Sequence, residues 1–209
     1  MTEQQYYYST NPTAEHNLIS WPYELRGHNF TFTTDNGVFS KHLVDYGSRV
    51  MIDTVDLTNL PAGPILDLGG AGYGPVGITV ASELPDRQID MVDVNERALG
   101  LAKQNAAANH VTNVRIFSSD VYAGVKDQQY AAIITNPPVR AGKKVVDQML
   151  SEAIDHLVVG GKLTVVLQKK QGAPPSAKKL MEQVFGNCLI LKRSKGYYIL
   201  ESTKKEWRK

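Results

Sequence analysis

From Pro64 onward the hydrophobic pattern alternates between strand-like runs and helical stripes, and that alternation narrows the fold more than any other feature. Ile65-Leu66-Asp67-Leu68 is a short apolar run ending in glycines. Pro75 suits the first turn of the next helix, through Val80 and Ala81, because an N–H there has no partner to lose. Residues 88–94 read as the second strand, and Asn95 is placed to cap a helix over 96–109. Strands over 114–117 and 130–135 follow; the latter is apolar on both faces, as a central parallel strand covered on both sides should be. A helix over 144–159 carries the clearest stripe, Val146, Met149, Leu150, Ala153 and Leu157, with Gly160-Gly161 expected to stop it. Residues 163–168 form the fifth strand, and a short helix over 176–185 precedes Gly186. Then the pattern breaks. Residues 189–191 and 197–200 are separated only by Lys-Arg-Ser-Lys-Gly, which predicts an antiparallel hairpin. The expected fold is α/β: a doubly wound, mostly parallel, seven-stranded sheet with a C-terminal antiparallel hairpin.

Upstream, residues 1–28 are polar and aromatic without a sustained period and read as an irregular lead-in. Phe30 and Phe32 alternate with Thr31 and Thr33, a half-buried strand, and Ser40 is the expected N-cap of a helix bearing Leu43, Val44, Val50, Met51 and Val55. The expected organisation is a lead-in over 1–28, an N-terminal arm and helix over 29–60 packed on the core, and the core over 61–209.

Composition enters as exclusion. The longest apolar runs fall far short of the ~20 residues that a membrane helix needs. The N-terminus lacks the basic-then-apolar pattern of a secretory leader. One cysteine, Cys188, excludes an internal disulfide framework and a multi-cysteine metal site, and the five histidines show no ligand spacing. The expectation is a cytoplasmic chain with no membrane partner and no metal. A net charge of +2 hides an asymmetry: residues 141–209 hold fourteen basic and six acidic residues. Lys169-Lys170, Lys178-Lys179 and Lys192-Arg193 suit either nucleic acid phosphates or plain solvation.

Ligands of doubly wound sheets bind beyond the carboxyl ends of the strands, which puts four candidate positions on one rim. The turn from Asp67 through Gly69, Gly70, Ala71, Gly72 and Gly74 lets a ligand approach the backbone at a helix start. Asp93, 21 residues after Gly72, is suited to accept from both hydroxyls of a ribose. Asp120 ends the third strand, where it either reads an adenine amine or simply caps a turn. Asn136-Pro137-Pro138 is the most specific signal: two prolines fix the backbone and remove two donors, leaving carbonyls to accept. The Asn136 side-chain carbonyl and the Pro137 backbone carbonyl together suit the two hydrogens of an exocyclic amine, turning its lone pair toward an electrophile.

In this order the residues resemble the class I S-adenosylmethionine-dependent methyltransferases, and Asn-Pro-Pro resembles those that methylate amino nitrogens. The stretch Phe32-Thr33-Thr34-Asp35-Asn36-Gly37-Val38-Phe39-Ser40, followed by Val44-Asp45-Tyr46-Gly47-Ser48, is similar to the catalytic domain of bacterial small-subunit ribosomal RNA guanine-N2 methyltransferases and their short single-domain relatives. The resemblance covers about residues 28–202. It implies that Asp67, Gly69, Gly70, Gly72 and Gly74 wrap the methionine part of S-adenosylmethionine. Asp93 would hold the ribose, Val94 would lie against the adenine and Asp120 would approach its amine. Asn136 and Pro137 would be the catalytic pair, with Asn136 also beside the cofactor, and Phe39, Pro138 and Val139 would face the substrate base.

Two departures stand out. The family's Asp-x-Gly-x-Gly-x-Gly loop is one residue longer here, and Val139 replaces an aromatic that stacks on the base, leaving Phe39 or Tyr73 as the expected platform. The implied function is methylation of an exocyclic amine, guanine N2 of small-subunit ribosomal RNA, either free or in a ribosomal particle. The alternatives are an adenine amine, a glutamine amide, or a non-catalytic module binding cofactor or RNA. A nicotinamide dehydrogenase fits only through Gly72-Tyr73-Gly74-Pro75-Val76-Gly77 and leaves Asn-Pro-Pro without a role.

Overall fold

The computed structural model describes residues 10–69, 72–171 and 173–206. Two strands, β1 (Ile19–Leu25) and β2 (His28–Thr34), form an N-terminal hairpin, followed by α1 (Tyr46–Thr54). The alternating part then runs β3 (Ile65–Leu68), α2 (Pro75–Glu83), β4 (Ile89–Asp93), α3 (Glu96–Ala108), β5 (Val114–Ser118), β6 (Tyr130–Thr135), α4 (Lys143–Ser151), β7 (Leu157–Gln168) and α5 (Ala173–Phe185). A last hairpin joins β8 (Leu189–Ser194) to β9 (Tyr197–Thr203).

The large sheet has the order β5-β4-β3-β6-β7-β9-β8. β3 to β7 are parallel, and β9 lies antiparallel to both β7 and β8. This is the α/β sheet expected from the alternation. The strand order reverses between β3 and β6, which opens a crevice at their carboxyl ends. Side chains of one strand point alternately to two apolar layers. Ile65, Ile89, Met91 and Ile134 enter one with α1, α2 and α3, whereas Leu66, Leu68, Ile133 and Val165 enter the other with α4 and α5. Burial on both faces is why β3 and β6 read as largely apolar runs without alternation. Asn95 caps α3 by accepting from the Ala98 N–H, as its position suggested.

Residues 1–9 of the expected lead-in lie outside the described residues, and part of the remainder is regular. Residues 19–25, inside the expected irregular lead-in, are strand β1, paired with β2 across the two-residue turn Arg26-Gly27. Pro22 is tolerated because β1 is an edge strand. Trp21 and Phe32 pack edge-on against Tyr73, so the hairpin belongs to the first apolar layer. Ser40 is not the N-cap of α1. Its hydroxyl donates to the Leu43 carbonyl, and Asp45 caps the helix through the Ser48 N–H.

Two other boundaries moved. The stripe from Val146 to Leu157 spans α4, a 3-10 turn over Glu152–His156 and the start of β7, because all three face the same core. Gly160-Gly161 therefore sits inside β7, where the register with β6 shifts, and does not stop a helix. The C-terminal turn is only Lys195-Gly196, since β8 runs through Ser194. Among the described residues, no helix is long and apolar enough to cross a membrane.

Candidate active site

The carboxyl ends of β3, β4, β6 and β7 surround a cavity of about 340 Å³ whose lining includes Phe39, Asp45, Gly69, Gly72, Asp93, Asn136, Pro137, Pro138, Val139, Gln168 and Tyr197. A second, of about 330 Å³, is lined among others by Gly69, Asp93, Val94, Asp120, Pro138 and Met149. Gly69, Asp93 and Pro138 border both, so the two cavities adjoin at Asp93, and together they are called the cleft. Three of the four expected rim positions thus meet around the first cavity, and Asp120 lines the second. Gly70 lies outside the described residues. Gly74 is at the N-terminus of α2, where a Cβ would lie 2.6 Å from Ile78 Cδ1, and it borders neither cavity.

Local chemistry shapes each wall. Gly69 adopts a left-handed conformation (φ +60°), and a Cβ there would sit 2.8 Å from Met149 Cε. Asp93 accepts from the Gly72 N–H at 3.3 Å with one oxygen and from the Asn95 N–H at 3.0 Å with the other. Burial raises its carboxyl pKa, against the pull of those N–H donors. Asp67 points toward α2, where Oδ2 accepts from the Gly77 N–H at 3.0 Å, and its Oδ1 is buried with no partner among the described residues. Burial, reinforced by the nearby Asp93 charge, pushes the Asp67 pKa up to about 7.

The Thr135 hydroxyl donates to the Leu68 carbonyl at 2.7 Å, fixing the end of β6 beside the glycine turn. The next residue, Asn136, donates its amide nitrogen to Ser48 Oγ at 2.8 Å and to Asp45 Oδ2 at 3.2 Å. A carboxylate only accepts, so the NH2 of Asn136 must face α1 and its carbonyl oxygen is left for the cleft. The Pro137 carbonyl is not wholly free, as its sequence context suggested, because it already accepts the Val139 N–H at 2.9 Å. One lone pair remains.

Sequence reasoning missed Asp45, Ser48, Gln168 and Tyr197 as parts of the site. Asp45 and Ser48 stood in a quoted motif without a role, and Gln168 meets Tyr197 only through β7–β9 pairing. Tyr73, one of the two expected platforms, is only 1% exposed and faces Trp21 and Phe32. Phe39 and Tyr197 are the aromatic residues lining the cleft. A Cβ on Gly47 would lie 2.6 Å from the Tyr197 ring, so only glycine lets α1 approach so closely. Tyr197 also neighbours the Tyr46 ring, which lies 4.9 Å from Lys195 Nζ and 5.0 Å from Arg49 Cζ. The Lys169 N–H donates to the Gly196 carbonyl, placing exposed Lys169 and Lys170 against this turn. Lys178, by contrast, is paired with Glu182 on α5.

The sequence model of the methyltransferase small domain matches residues 29–201. The chain belongs to the methyltransferase small domain family. It is 47% identical to the uncharacterized protein YbxB of Bacillus subtilis over 201 residues, 96% of this chain and 98% of that protein. It is 29% identical to ribosomal RNA small subunit methyltransferase C of Vibrio cholerae, over 88% of this chain and 53% of that one. Among solved structures, the Thermus thermophilus 16S rRNA N2 G1207 methyltransferase, in complex with AdoMet and guanosine, shares the fold. The TM-score is 0.80 at 24% identity, covering 93% of this chain and 52% of that one. The chain thus spans about half the length of these ribosomal RNA methyltransferases.

Proposed function

We propose that this chain transfers a methyl group from S-adenosylmethionine to the exocyclic N2 of a guanine in small-subunit ribosomal RNA. The observation that carries the reading is the fixed orientation of Asn136, whose carbonyl oxygen is left for the cleft beside Pro137, in the cavity that Asp93 also lines. The cleft fits the cofactor: a carboxylate borders both cavities, and the left-handed Gly69 turn lets a ligand approach the backbone. Asp93 would hold the ribose hydroxyls, Val94 and Asp120 the adenine, and Gly69 and Gly72 the amino-acid part. When bound, the cofactor supplies a methyl group activated on a sulfonium.

Asn136 Oδ1 and the remaining lone pair of the Pro137 carbonyl accept the two amine hydrogens. That arrangement weakens conjugation of the nitrogen lone pair with the ring and aims it along one line. Positioning of this kind is the protein's main contribution to rate. Phe39 and Tyr197 offer faces for the base in place of the aromatic that Val139 does not provide, and base stacking contributes about 1–3 kcal/mol. The exposed cations Lys169, Lys170 and Lys195 gather at the Lys195-Gly196 turn that precedes Tyr197, with Arg49 and Lys195 over the neighbouring Tyr46 ring, and suit RNA phosphates flanking an extruded base.

The test is transfer of labelled methyl groups to small-subunit RNA and particles from cells lacking the protein, with the modified nucleoside identified by mass spectrometry. The expected product is N2-methylguanosine. Asn136→Ala is expected to keep cofactor binding and lose transfer on the order of 100-fold, as when one oriented polar group is removed from an active site. Methylated adenine or glutamine as the product, or full activity in Asn136→Ala, would overturn the proposal.

A further inference from the structure

Asp45 occupies a position that an N-cap alone does not require. Its Oδ2 accepts from the Ser48 N–H at 3.0 Å and from Asn136 Nδ2 at 3.2 Å, while the residue lines the same cavity as Asn136 and Pro137. Its other oxygen, Oδ1, has no hydrogen-bond partner among the described residues, yet it is not a buried orphan. Serine, threonine or asparagine would cap α1 as well as aspartate does. What they would not supply is a second acceptor beside the carbonyls proposed to hold the target amine.

We infer that Asp45 is the residue that selects guanine, with Oδ1 accepting the ring N1–H while N2 is held by Asn136 and Pro137. The inference rests on the amine-methylation reading above and deepens it. The discrimination follows from what lies next to each candidate amine. In guanine, the carbon bearing N2 also carries N1–H, a donor. In adenine, the carbon bearing N6 carries N1 with a bare lone pair; in cytosine it carries N3, again an acceptor. In a glutamine amide the neighbour is a carbonyl oxygen. A carboxylate oxygen at this point pairs with guanine and confronts a lone pair in each of the others. Sites built to hydrogen-bond one group reject analogues lacking it far more strongly than apolar pockets reject a change of size. Ser48 assists by sharing the Asn136 amide, so one helix terminus sets both the amine-holding carbonyl and the N1 acceptor.

The experiment compares guanosine with 2-aminopurine riboside, which keeps the N2 amine but presents N1 as an acceptor. Each is titrated calorimetrically into the protein saturated with S-adenosylhomocysteine. The wild type is expected to favour guanosine by about tenfold or more. Asp45→Asn keeps the helix cap. Its amide oxygen remains on the Ser48 N–H and Asn136, so its NH2 faces the cleft and matches the lone pair of 2-aminopurine. The guanosine preference is expected to collapse or invert. Loss of O6 in the analogue affects both proteins alike, so the change in ratio isolates N1. Asp45→Ser, which caps but does not reach the base, should erase the preference without inverting it and covers the case in which the asparagine variant fails to fold. Equal weakening of both nucleosides in the variants, or equal affinity in the wild type, overturns the role of Asp45. A wild-type protein that binds neither nucleoside but methylates an adenine or a protein amide overturns the guanine reading beneath it.

Discussion

Asn105 on α3 replaces a missing β-strand partner, and its removal should be the costliest single truncation of a polar side chain at the arm. Its Oδ1 accepts from the Thr33 N–H at 2.8 Å, and its Nδ2 donates to the carbonyls of Thr33 and Tyr73, each at 2.8 Å. One turn later, Asn109 repeats the pattern on Thr31, with both bonds at 2.9 Å. The two differ in burial: Asn105 is 0% exposed, whereas the Asn109 bonds to Thr31 lie at the surface. Asn105→Ala leaves three backbone groups without partners, each costing about 1–3 kcal/mol when buried. Water can reach part of the Thr33 pair, and alanine regains about 0.5 kcal/mol of helix propensity. The net expectation is a loss of about 3–5 kcal/mol, against about 1 kcal/mol for Asn109→Ala, whose partners are rehydrated. Urea unfolding of both variants measures this, with unchanged m-values marking a change of stability alone. Asn105→Asp sharpens the test, because an ionised carboxylate turns lone pairs on two carbonyls. It should fall below the alanine variant at neutral pH and recover as the acid is protonated. Equal losses for the two alanine variants would refute the account of how the arm is held.

Two further outcomes concern β3 and the glycine turn that follows it. With the Asp67 pKa raised to about 7 from 3.8, the folded state retains a proton that the unfolded chain has already released between those values. Stability should therefore decline as pH rises from about 4 to 7 and level off above, by up to about 4 kcal/mol, and Asp67→Asn should flatten that slope. Thermal melts across the range decide it, and parallel slopes would sink the assignment. Gly69→Ala should lose about 1–2 kcal/mol from its left-handed backbone, with Met149 yielding. Calorimetry should show a larger loss in S-adenosylmethionine affinity than melting shows in stability; unchanged affinity would remove Gly69 from the cofactor wall.

The site was legible unevenly. Asp93 and Asn136 announced themselves because each stands at the end of a strand whose apolar run is visible locally, and a doubly wound sheet brings strand ends to one rim. Asp67, read with them, lies inside β3, turns toward α2 and lines neither cavity. The partners of Asn136 did not. Asp45 lies 91 positions earlier, in a helix start whose cap looked to be Ser40. Tyr197 reaches the cleft only because β9 inserts between β7 and β8 and sets it opposite Gln168. Tyr73 looked available and is buried, since the hairpin that covers it includes a strand in which Ile19, Trp21, Tyr23 and Leu25 alternate with exposed Ser20, Pro22 and Glu24, a short alternation that Pro22 argued against as a strand. The glycines at 160 and 161 read as a helix stop, yet lie in a strand at a register shift.

The amino-acid sequence by itself determined the parallel core, most of its element types and the strand ends on its rim, because side-chain direction repeats with local backbone geometry. Only the tertiary structure decided which way the Asn136 amide points, which aromatics face the cleft and which carboxylate stands beside Asn136. Those depend on sheet order, register and the docking of the arm, which bring together residues that no local period connects.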